Sequence, residues 1–254
     1  MPERVTTGDV APLGHRRLGS GRAPDEASIL MPDAVTLAAA AARSAPALTL
    51  RPWADDDVTA LVAAYQDPAM RRWSTAAPRD HAAGRAWITE HQDGWSDGHQ
   101  FAFAVLEDAA DAADAATTDD IRTARPRLVG HVVLREVTPG EPAAEVGYWT
   151  AAHARGRGVA HRALATVTAW AFDTFGPDGL RRLELLHQVD NVASCRVAER
   201  TGYVLQDVLP PWPPVYPLEG HRHVRTGPPP ATGGRAAPPG SRRRTGPAWP
   251  GPRR

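Results

Sequence analysis

Residues 155–160 form the segment whose types and spacing point most directly to chemistry: Arg155-Gly156-Arg157-Gly158-Val159-Ala160. They follow a predicted strand and open a predicted helix that lacks Ser, Thr, Asp or Asn at its start. The first N–H groups of such a helix need another acceptor, and an anion is a suitable one. Glycines let the backbone approach a phosphate closely, and the arginines add positive charge. The segment is therefore either a pyrophosphate cradle or a glycine-rich turn with solvated arginines.

Three motifs in chain order resemble the Gcn5-related N-acetyltransferase (GNAT) superfamily. Arg155, Gly158 and Ala160 fit the motif A pattern Gln/Arg-x-x-Gly-x-Gly/Ala of that family. Upstream, Glu145-Val146-Gly147-Tyr148-Trp149 resembles the strand before motif A in the ribosomal-protein N-acetyltransferase-like branch. Downstream, residues 191–203 are similar to that branch's Asn-x-x-Ser-x-x-Val-x-x-x-x-Gly-Phe/Tyr segment.

The resemblance, which spans roughly residues 48–208, implies where acetyl-CoA would bind. In that family the co-substrate lies in a V-shaped gap between two parallel strands, here 143–150 and 180–188. The resemblance implies that the strand around Trp149 and Thr150 pairs with the pantetheine arm. One backbone N–H of this strand would polarise the thioester carbonyl. The backbone amides expected to hold the pyrophosphate are those of Arg155, Gly156, Arg157, Gly158, Val159 and Ala160.

Asn191 has two interpretations that are compatible with each other. It is a good N-cap for a helix over 192–201, and Gly202 is a good residue to follow the helix C-terminus. The family resemblance adds a contact from Asn191 to the pantetheine. One side-chain oxygen can cap the helix while the amide donates to the ligand.

Ser194 is the candidate general acid. Its structural alternative is a helix-surface serine bonded to a nearby backbone carbonyl. The resemblance places it near the thioester sulfur, where it could protonate the leaving thiolate. Many relatives use a tyrosine at the position that Ala198 occupies here, so Ser194 or a water is left for this role.

Glu145 is the candidate general base. An acceptor amine is mostly protonated at neutral pH, and a strand carboxylate can take its proton directly or through water. The alternative is a charged residue on an exposed strand face. Three weaker competitors are Glu90, Glu136 and Asp190.

The remaining reactive or aromatic side chains give no strong prediction of a further catalytic or metal site. Cys195 lies in a helix that also needs buried apolar residues, with no histidine near it in sequence, so we expect a buried, inert thiol and direct transfer. His221 and His223 stand in a proline-rich stretch, where surface histidines are expected and no metal site. Four tryptophans flank the helices that shape the acceptor groove in the family: Trp53, Trp73, Trp87 and Trp95. Core packing is the expected role of each, and one or two of them are expected to touch substrate.

Composition excludes several function classes. The chain has 254 residues, and all 29 of its basic residues are arginine, so a Walker A loop and Schiff-base lysine chemistry are ruled out. The single cysteine rules out an internal disulfide. No apolar run of about 18 residues is present, so we expect no membrane span and a cytoplasmic protein.

Charge and patterning divide the chain into three parts. We expect a disordered N-terminal extension over 1–46, a GNAT domain over 47–225 with an acidic loop at 107–126, and a disordered Pro/Arg-rich tail over 226–254. The formal net charge of zero is a sum of unlike parts, because residues 226–254 hold six arginines and no acidic residue.

Periodicity predicts a mixed α/β fold with a run of adjacent strands in the middle. The resemblance implies that this fold is of the GNAT type, with a mostly antiparallel sheet, flanking helices and one splayed parallel strand pair. Order is expected to begin at Leu48, and Pro68 is expected to stop the first helix. The last strand is expected to be very short, near 221–225, or missing, because proline takes over after Thr226. The expected strands are 48–53, 100–106, 127–137, 143–150, 180–188 and 203–208, and the expected helices after the first are 79–95, 159–175 and 191–201.

The resemblance thus implies an acetyl-CoA-dependent transfer of an acetyl group to a primary amine in a ternary complex. The acceptor would be a protein N-terminus or a small molecule, and the enzyme a monomer or homodimer. The alternative is a degenerate module that binds CoA without catalysis, because the terminal strand is in doubt. Nucleic-acid binding through the arginine tail would be weak and salt-dependent, since only Trp249 accompanies its arginines.

Overall fold

A computed structural model of the chain describes residues 35–42, 45–73, 77–108 and 126–229. The predicted N-terminal extension, the acidic loop and the Pro/Arg-rich tail lie largely or wholly outside these residues. The structure has eight strands and five α-helices in the described part. The strands are β1 (Leu37–Ala39), β2 (Leu48–Pro52), β3 (Gln100–Glu107), β4 (Arg127–Arg135), β5 (Ala143–Thr150), β6 (Arg182–Gln188), β7 (Val204–Leu209) and β8 (Gly220–Thr226). The helices are α1 (Val58–Tyr65), α2 (Pro68–Trp73), α3 (His81–Asp97), α4 (Val159–Phe175) and α5 (Val192–Arg200).

The strands form one open sheet in the order β1-β2-β3-β4-β5-β6-β8-β7. Every neighbouring pair is antiparallel except β5 and β6, which run parallel. A parallel pair needs a crossover connection, and α4 supplies it. The prediction of a mostly antiparallel α/β sheet with one parallel pair is confirmed.

Helices cover both faces of the sheet. Ala163, Leu164, Val167 and Ala171 of α4 are buried against one face, at the spacing that predicted this helix. On the other face, α1 and α3 contribute residues such as Leu61 and Ile88 to a second apolar cluster. The middle strands β3 and β4 are buried along almost their whole length because each has a helix layer on either side.

One expectation about the first elements is wrong, and another is incomplete. Order does not begin at Leu48, because the three-residue strand β1 pairs with β2. Its Ala-rich sequence carries no strand signal, and its position depends on long-range contacts, including hydrogen bonds from the Arg162 guanidinium to the carbonyls of Ala40 and Pro46. The first helix ends at Tyr65, before Pro68 as expected, but Pro68 also begins α2. The position suits proline because the first helical N–H needs no partner there.

The expectation that the last strand is very short or missing is also wrong. β8 runs for seven residues and lies between β6 and β7, with β6 residues paired from Arg182 to Gln188. It ends at Thr226, just before the prolines that would interrupt a ladder. The proline-rich segment thus follows the sheet instead of replacing its last strand.

Among the helices that the structure describes, none combines the length and the apolar character needed to cross a membrane.

Candidate functional site

The parallel strands β5 and β6 separate partway along their length. Their ladder runs from the Ala143–Arg182 pair to the Val146–Leu185 pair. Beyond it β5 continues to Thr150 and remains paired with β4 on its other side, while β6 continues to Gln188. Within the described sheet, the last four residues of β5 therefore have an edge that pairs with no residue of β6. Such an edge can hydrogen-bond an extended ligand as another strand would.

The turn between β5 and α4 ends in an uncapped helix N-terminus. Gly156 and Gly158 have φ values of 76° and 75°, a conformation that residues with a side chain rarely adopt. Gly158 is the N-cap of α4, and no side chain caps this end of the helix. A Cβ atom at either glycine would meet nothing within 4 Å, so the space over the turn is open. The N–H groups of the first turn, which begins at Val159 and Ala160, can donate hydrogen bonds to an anion there.

Arg155 and Arg157 flank this turn and each forms an ion pair. The Arg155 guanidinium contacts the carboxylate of Asp67, which lies just before α2, and Arg157 contacts Glu107 at the end of β3. The sequence left open whether these arginines bind phosphate or are merely solvated. Their carboxylate partners hold both guanidinium groups beside the glycine turn. A phosphate arriving there would have to exchange with these carboxylates.

Asn191 and Ser194 lie at the start of α5, beside the open part of the gap. The Asn191 side chain accepts a 3.2 Å hydrogen bond from the Ser194 N–H, which confirms its predicted role as an N-cap. Gly202 has a φ of 77° immediately after the end of this helix, as predicted. The Ser194 hydroxyl accepts a 3.0 Å hydrogen bond from the hydroxyl of Tyr148. Ser194 thus has a side-chain partner across the gap and is not a simple surface serine.

Tyr148 was missed by the sequence reasoning. Burial raises its pKa to about 12, while the hydrogen bond to Ser194 acts in the opposite direction. Residues of a strand alternate between its two faces, so Tyr148 shares the α4 side of β5 with the buried Ala144 and Val146. That alternation is the signal that could have placed its hydroxyl near α5.

Glu145 is buried, and the interpretation as an exposed strand residue is wrong. Only 8% of its surface is exposed, and its carboxylate lies 3.2 Å from Nε of Arg135 on β4. A Cβ at Gly147 would collide with the Arg135 guanidinium, so the glycine makes room for this ion pair. The ring of Tyr216 lies close enough for both charges to act on its pKa, which burial raises overall. The three competing carboxylates, Glu90, Glu136 and Asp190, are exposed.

Aromatic side chains line the sheet face opposite α4. Trp149 packs with Trp53 and Tyr65, at ring-centroid distances of 6.2 Å and 5.6 Å. The Trp53 indole donates a 3.1 Å hydrogen bond to Nδ1 of His131. Trp87 stacks on His91, while Trp95 packs against Phe101 and Phe103 in the other cluster. Core packing is therefore confirmed for Trp53, Trp87 and Trp95, and the Trp73 side chain lies outside the described residues.

The prediction of surface histidines is wrong for His221 and His223, and Cys195 is less buried than predicted. His223 is only 1% exposed, and His221 is half-buried, so these are not surface histidines. Cys195 is half-buried and has imidazole neighbours: its Sγ lies 3.2 Å from Nδ1 of His221 and 3.7 Å from Nε2 of His223. Burial raises the pKa of the Cys195 thiol, and the nearby Glu199 carboxylate adds to this effect. The sequence hid the arrangement because β8 brings these residues together from 26 and 28 positions away.

Comparison with solved structures shows the same fold in several acetyltransferases. Mycobacterium smegmatis RimJ, solved in complex with CoA-disulfide, has a TM-score of 0.59 and 19% identity, covering 72% of this chain and 83% of that chain. A putative ribosomal-protein-serine acetyltransferase from Vibrio cholerae has a TM-score of 0.59 and 20% identity, covering 76% and 98%. The microcin C7 self immunity acetyltransferase MccE, solved with acetyl-CoA and AMP, has a TM-score of 0.58 and 14% identity, covering 70% and 92%.

No curated protein sequence matches the chain. The family model of the acetyltransferase (GNAT) domain matches residues 47–204, which is more than half of the chain. This span contains the parallel strand pair, the glycine turn and the start of α5. The chain therefore belongs to the GNAT acetyltransferase family.

Proposed function

We propose that the protein transfers the acetyl group of acetyl-CoA directly to a primary amine within a ternary complex. The observation that carries the proposal is the separation of β5 and β6 beyond Val146 and Leu185. One end of the gap has the uncapped N-terminus of α4, and one side has the hydroxyl pair of Tyr148 and Ser194. These features supply an anion site, a strand edge and a proton donor in chain segments that the family model covers.

The residues of the turn would hold the pyrophosphate of the co-substrate. N–H groups from Gly156 to Ala160 offer donors, and the open space over the glycines fits an anion. Arg155 and Arg157 would exchange their carboxylate partners for phosphate oxygens. The edge of β5 that includes Trp149 and Thr150 would pair with the pantetheine arm, and Asn191 would contact the same arm with its amide nitrogen.

Acetyl-CoA supplies the activated acetyl thioester. The amine nitrogen would first bond to the carbonyl carbon, and a backbone N–H of β5 would stabilise the oxyanion that forms. The C–S bond would then break, with the CoA thiolate as the leaving group. As the general acid, Ser194 would donate a hydrogen bond to the departing thiolate, and Tyr148 would donate one to Ser194. Glu145 would accept the proton that the amine loses, directly or through a water.

The acceptor is proposed as a class, a primary amine on a protein N-terminus or a small molecule. The carboxylate of Glu145 and the indole of Trp149 alternate onto the same side of β5, away from α4. That side carries the aromatic cluster around Trp53 and Trp87. One of the similar structures, from Vibrio cholerae, is named as a putative ribosomal-protein-serine acetyltransferase, and this name supports including protein N-termini among the acceptors tested.

A thiol-release assay with acetyl-CoA tests the proposal. The purified full-length protein is incubated with N-terminal peptides, free amino acids and aminoglycosides, and each product is identified by mass spectrometry. We expect release of one thiol for each acetylated amine, with one acceptor class strongly preferred. Binding of CoA without turnover across the whole panel would instead support the inactive module, although β8 removes the sequence-based reason for that alternative.

A further inference from the structure

Four side chains that the proposed transfer does not use lie together beside α5. His187 of β6 is paired directly with His221 of β8, and His223 follows two residues later on the same face of β8. The N-terminal half of α5 brings Cys195 to that face. The sheet register therefore gathers three imidazoles and the only thiol of the chain.

The distances between these groups suit a common ligand. One ligand atom from each of His187, Cys195, His221 and His223 lies within 4.8 Å of all the others. The closest approaches are those of the Cys195 Sγ to the imidazole nitrogens of His221 and His223, at 3.2 Å and 3.7 Å. Ligands around a tetrahedral Zn²⁺ at about 2.0–2.3 Å from the metal are separated by comparable distances.

The hydrogen bonds of His187 leave one ring nitrogen available. Its Nδ1 lies 2.8 Å from the Gln188 carbonyl oxygen and donates to it, which leaves the lone pair on Nε2. That Nε2 is buried and has no hydrogen-bond partner among the described residues. A buried polar atom without a partner is costly, and a backbone carbonyl that fixes the other ring nitrogen is the usual arrangement around a metal-binding histidine.

We propose that His187, Cys195, His221 and His223 form a binding site for a zinc-type divalent cation. Three imidazoles and one thiolate are ligands that suit Zn²⁺, and four protein ligands make a closed tetrahedral site of the structural kind. On binding, the metal–sulfur bond forms and the Cys195 S–H bond breaks, so one proton is released to solvent. Two carboxylates lie near these ligands: Asp190 favours the charged form of His187, and Glu199 favours that of His223.

A bound cation would connect α5 to strands β6 and β8 through its four protein ligands. Ser194 directly precedes Cys195 in the chain, so a metal held by Cys195 would also restrain the Ser194 hydroxyl beside Tyr148. The cation would thus position the Ser194 hydroxyl and stabilise the fold, and it would take part in no step of the proposed transfer.

The test uses untagged full-length protein that has been stripped with a chelator and titrated with Co²⁺, a coloured substitute for Zn²⁺. We expect one equivalent to bind, with the visible bands of tetrahedral cobalt and a near-ultraviolet sulfur-to-cobalt band that Zn²⁺ then abolishes. C195S should lose the sulfur band, and H223A should lose tight binding. H81A, which removes an exposed histidine at the start of α3, should bind as the wild type does.

A second measurement needs no substitution and no acetyl-CoA. Alkylation of Cys195 by iodoacetamide should slow at least tenfold when Zn²⁺ is added, and Tm should rise with the Zn²⁺ concentration. An unchanged alkylation rate, or cobalt spectra that are identical in C195S and wild type, would overturn the metal site. Neither result depends on whether the protein acetylates an amine, so the two proposals can fail separately.

Discussion

The hydroxyl of Tyr148 donates a 3.0 Å hydrogen bond to the hydroxyl of Ser194, joining β5 to the first turn of α5 across the edge of the strand gap. Because burial raises the pKa of Tyr148 to about 12, the phenol keeps its proton throughout the physiological pH range. A donor pair at this place can hydrogen-bond a developing thiolate. Complete transfer from the phenol would be uphill, since a thiol has an ordinary pKa of about 8.5.

Replacing Ser194 by Ala should lower kcat about 10²-fold, the lower end of the range for general acids, with little change in the KM for acetyl-CoA. Y148F should lower kcat by a smaller factor because Ser194 keeps its own hydroxyl. The steady-state rate of thiol release measures both effects. S96A removes an exposed helical serine that bonds only to the Gln92 carbonyl, and it should leave kcat unchanged. A kcat for S194A equal to that of S96A would remove Ser194 from the mechanism.

Removing either arginine of the glycine turn should weaken CoA binding. We expect R157A to raise the Kd for CoA about tenfold, equivalent to about 1.4 kcal/mol, because a charge-assisted contact to phosphate is lost. E107Q should act in the opposite direction, since it frees Arg157 from its carboxylate partner. Calorimetry with CoA measures both changes. Pantetheine, which lacks the pyrophosphate, provides the comparison, and its affinity should be the same in both variants.

An exposed arginine outside the turn gives the matched control for this experiment. Arg85 lies on the solvent side of α3, and R85A should leave the Kd for CoA unchanged. Equal losses in R85A and R157A would mean that net charge alone, rather than the position of Arg157, governs binding.

Two glycines with the same backbone conformation separate stability from ligand binding. G158A and G140A each force a side chain into a left-handed conformation, at φ values of 75° and 77°, and neither new Cβ meets an atom within 4 Å. Each should therefore lower the free energy of unfolding by about 1–2 kcal/mol. Only G158A should also weaken CoA binding, because Gly140 lies in the turn between β4 and β5 and not at the start of α4. Urea unfolding and calorimetry together check this, and a CoA affinity reduced equally in both variants would argue against an anion site at the turn.

Much of the fold could be predicted from local patterns, because most strands alternate or are wholly apolar and two helices, α3 and α5, have side-chain N-caps. The bounds of β5 were predicted as Ala143–Thr150, and the Asn191 cap was predicted from residue type and position. The strand β1 could not be found in this way, since its Leu-Ala-Ala sequence is held by β2 and by Arg162 from a distant helix. Local propensity carries no information about such partners.

In the candidate site, too, local motifs could be predicted from the sequence and long-range contacts could not. The glycine turn and Ser194 are contiguous motifs, whereas the partners of Glu145, Ser194 and Cys195 come from other elements. Arg135 reaches Glu145 through the β4–β5 ladder, and the late histidines reach Cys195 only because β8 lies beside β6. A proline-rich continuation led to doubt about that strand, although the prolines begin only after its last residue.

Acid should destabilise the fold in a window set in part by His91. Burial lowers its pKa to about 4, with the Arg135 charge contributing in the same direction. In the unfolded chain the imidazole has a pKa near 6.5, so below that pH the unfolded state binds more protons than the folded state. The stabilising contribution is therefore fully present above pH 6.5 and is lost as the pH falls toward 4, by up to about 3 kcal/mol.

H91Q should flatten this part of the pH dependence, because glutamine does not titrate and its amide can still donate to the Trp87 carbonyl that His91 contacts at 2.7 Å. Urea unfolding at pH 4.5, 5.5, 6.5 and 7.5 measures the slope for each variant. H81Q, which alters an exposed histidine, should keep the wild-type slope. If H91Q and wild type lose stability in parallel across the window, the acid sensitivity belongs to other groups, and the stacked position of His91 on Trp87 does not keep its imidazole neutral.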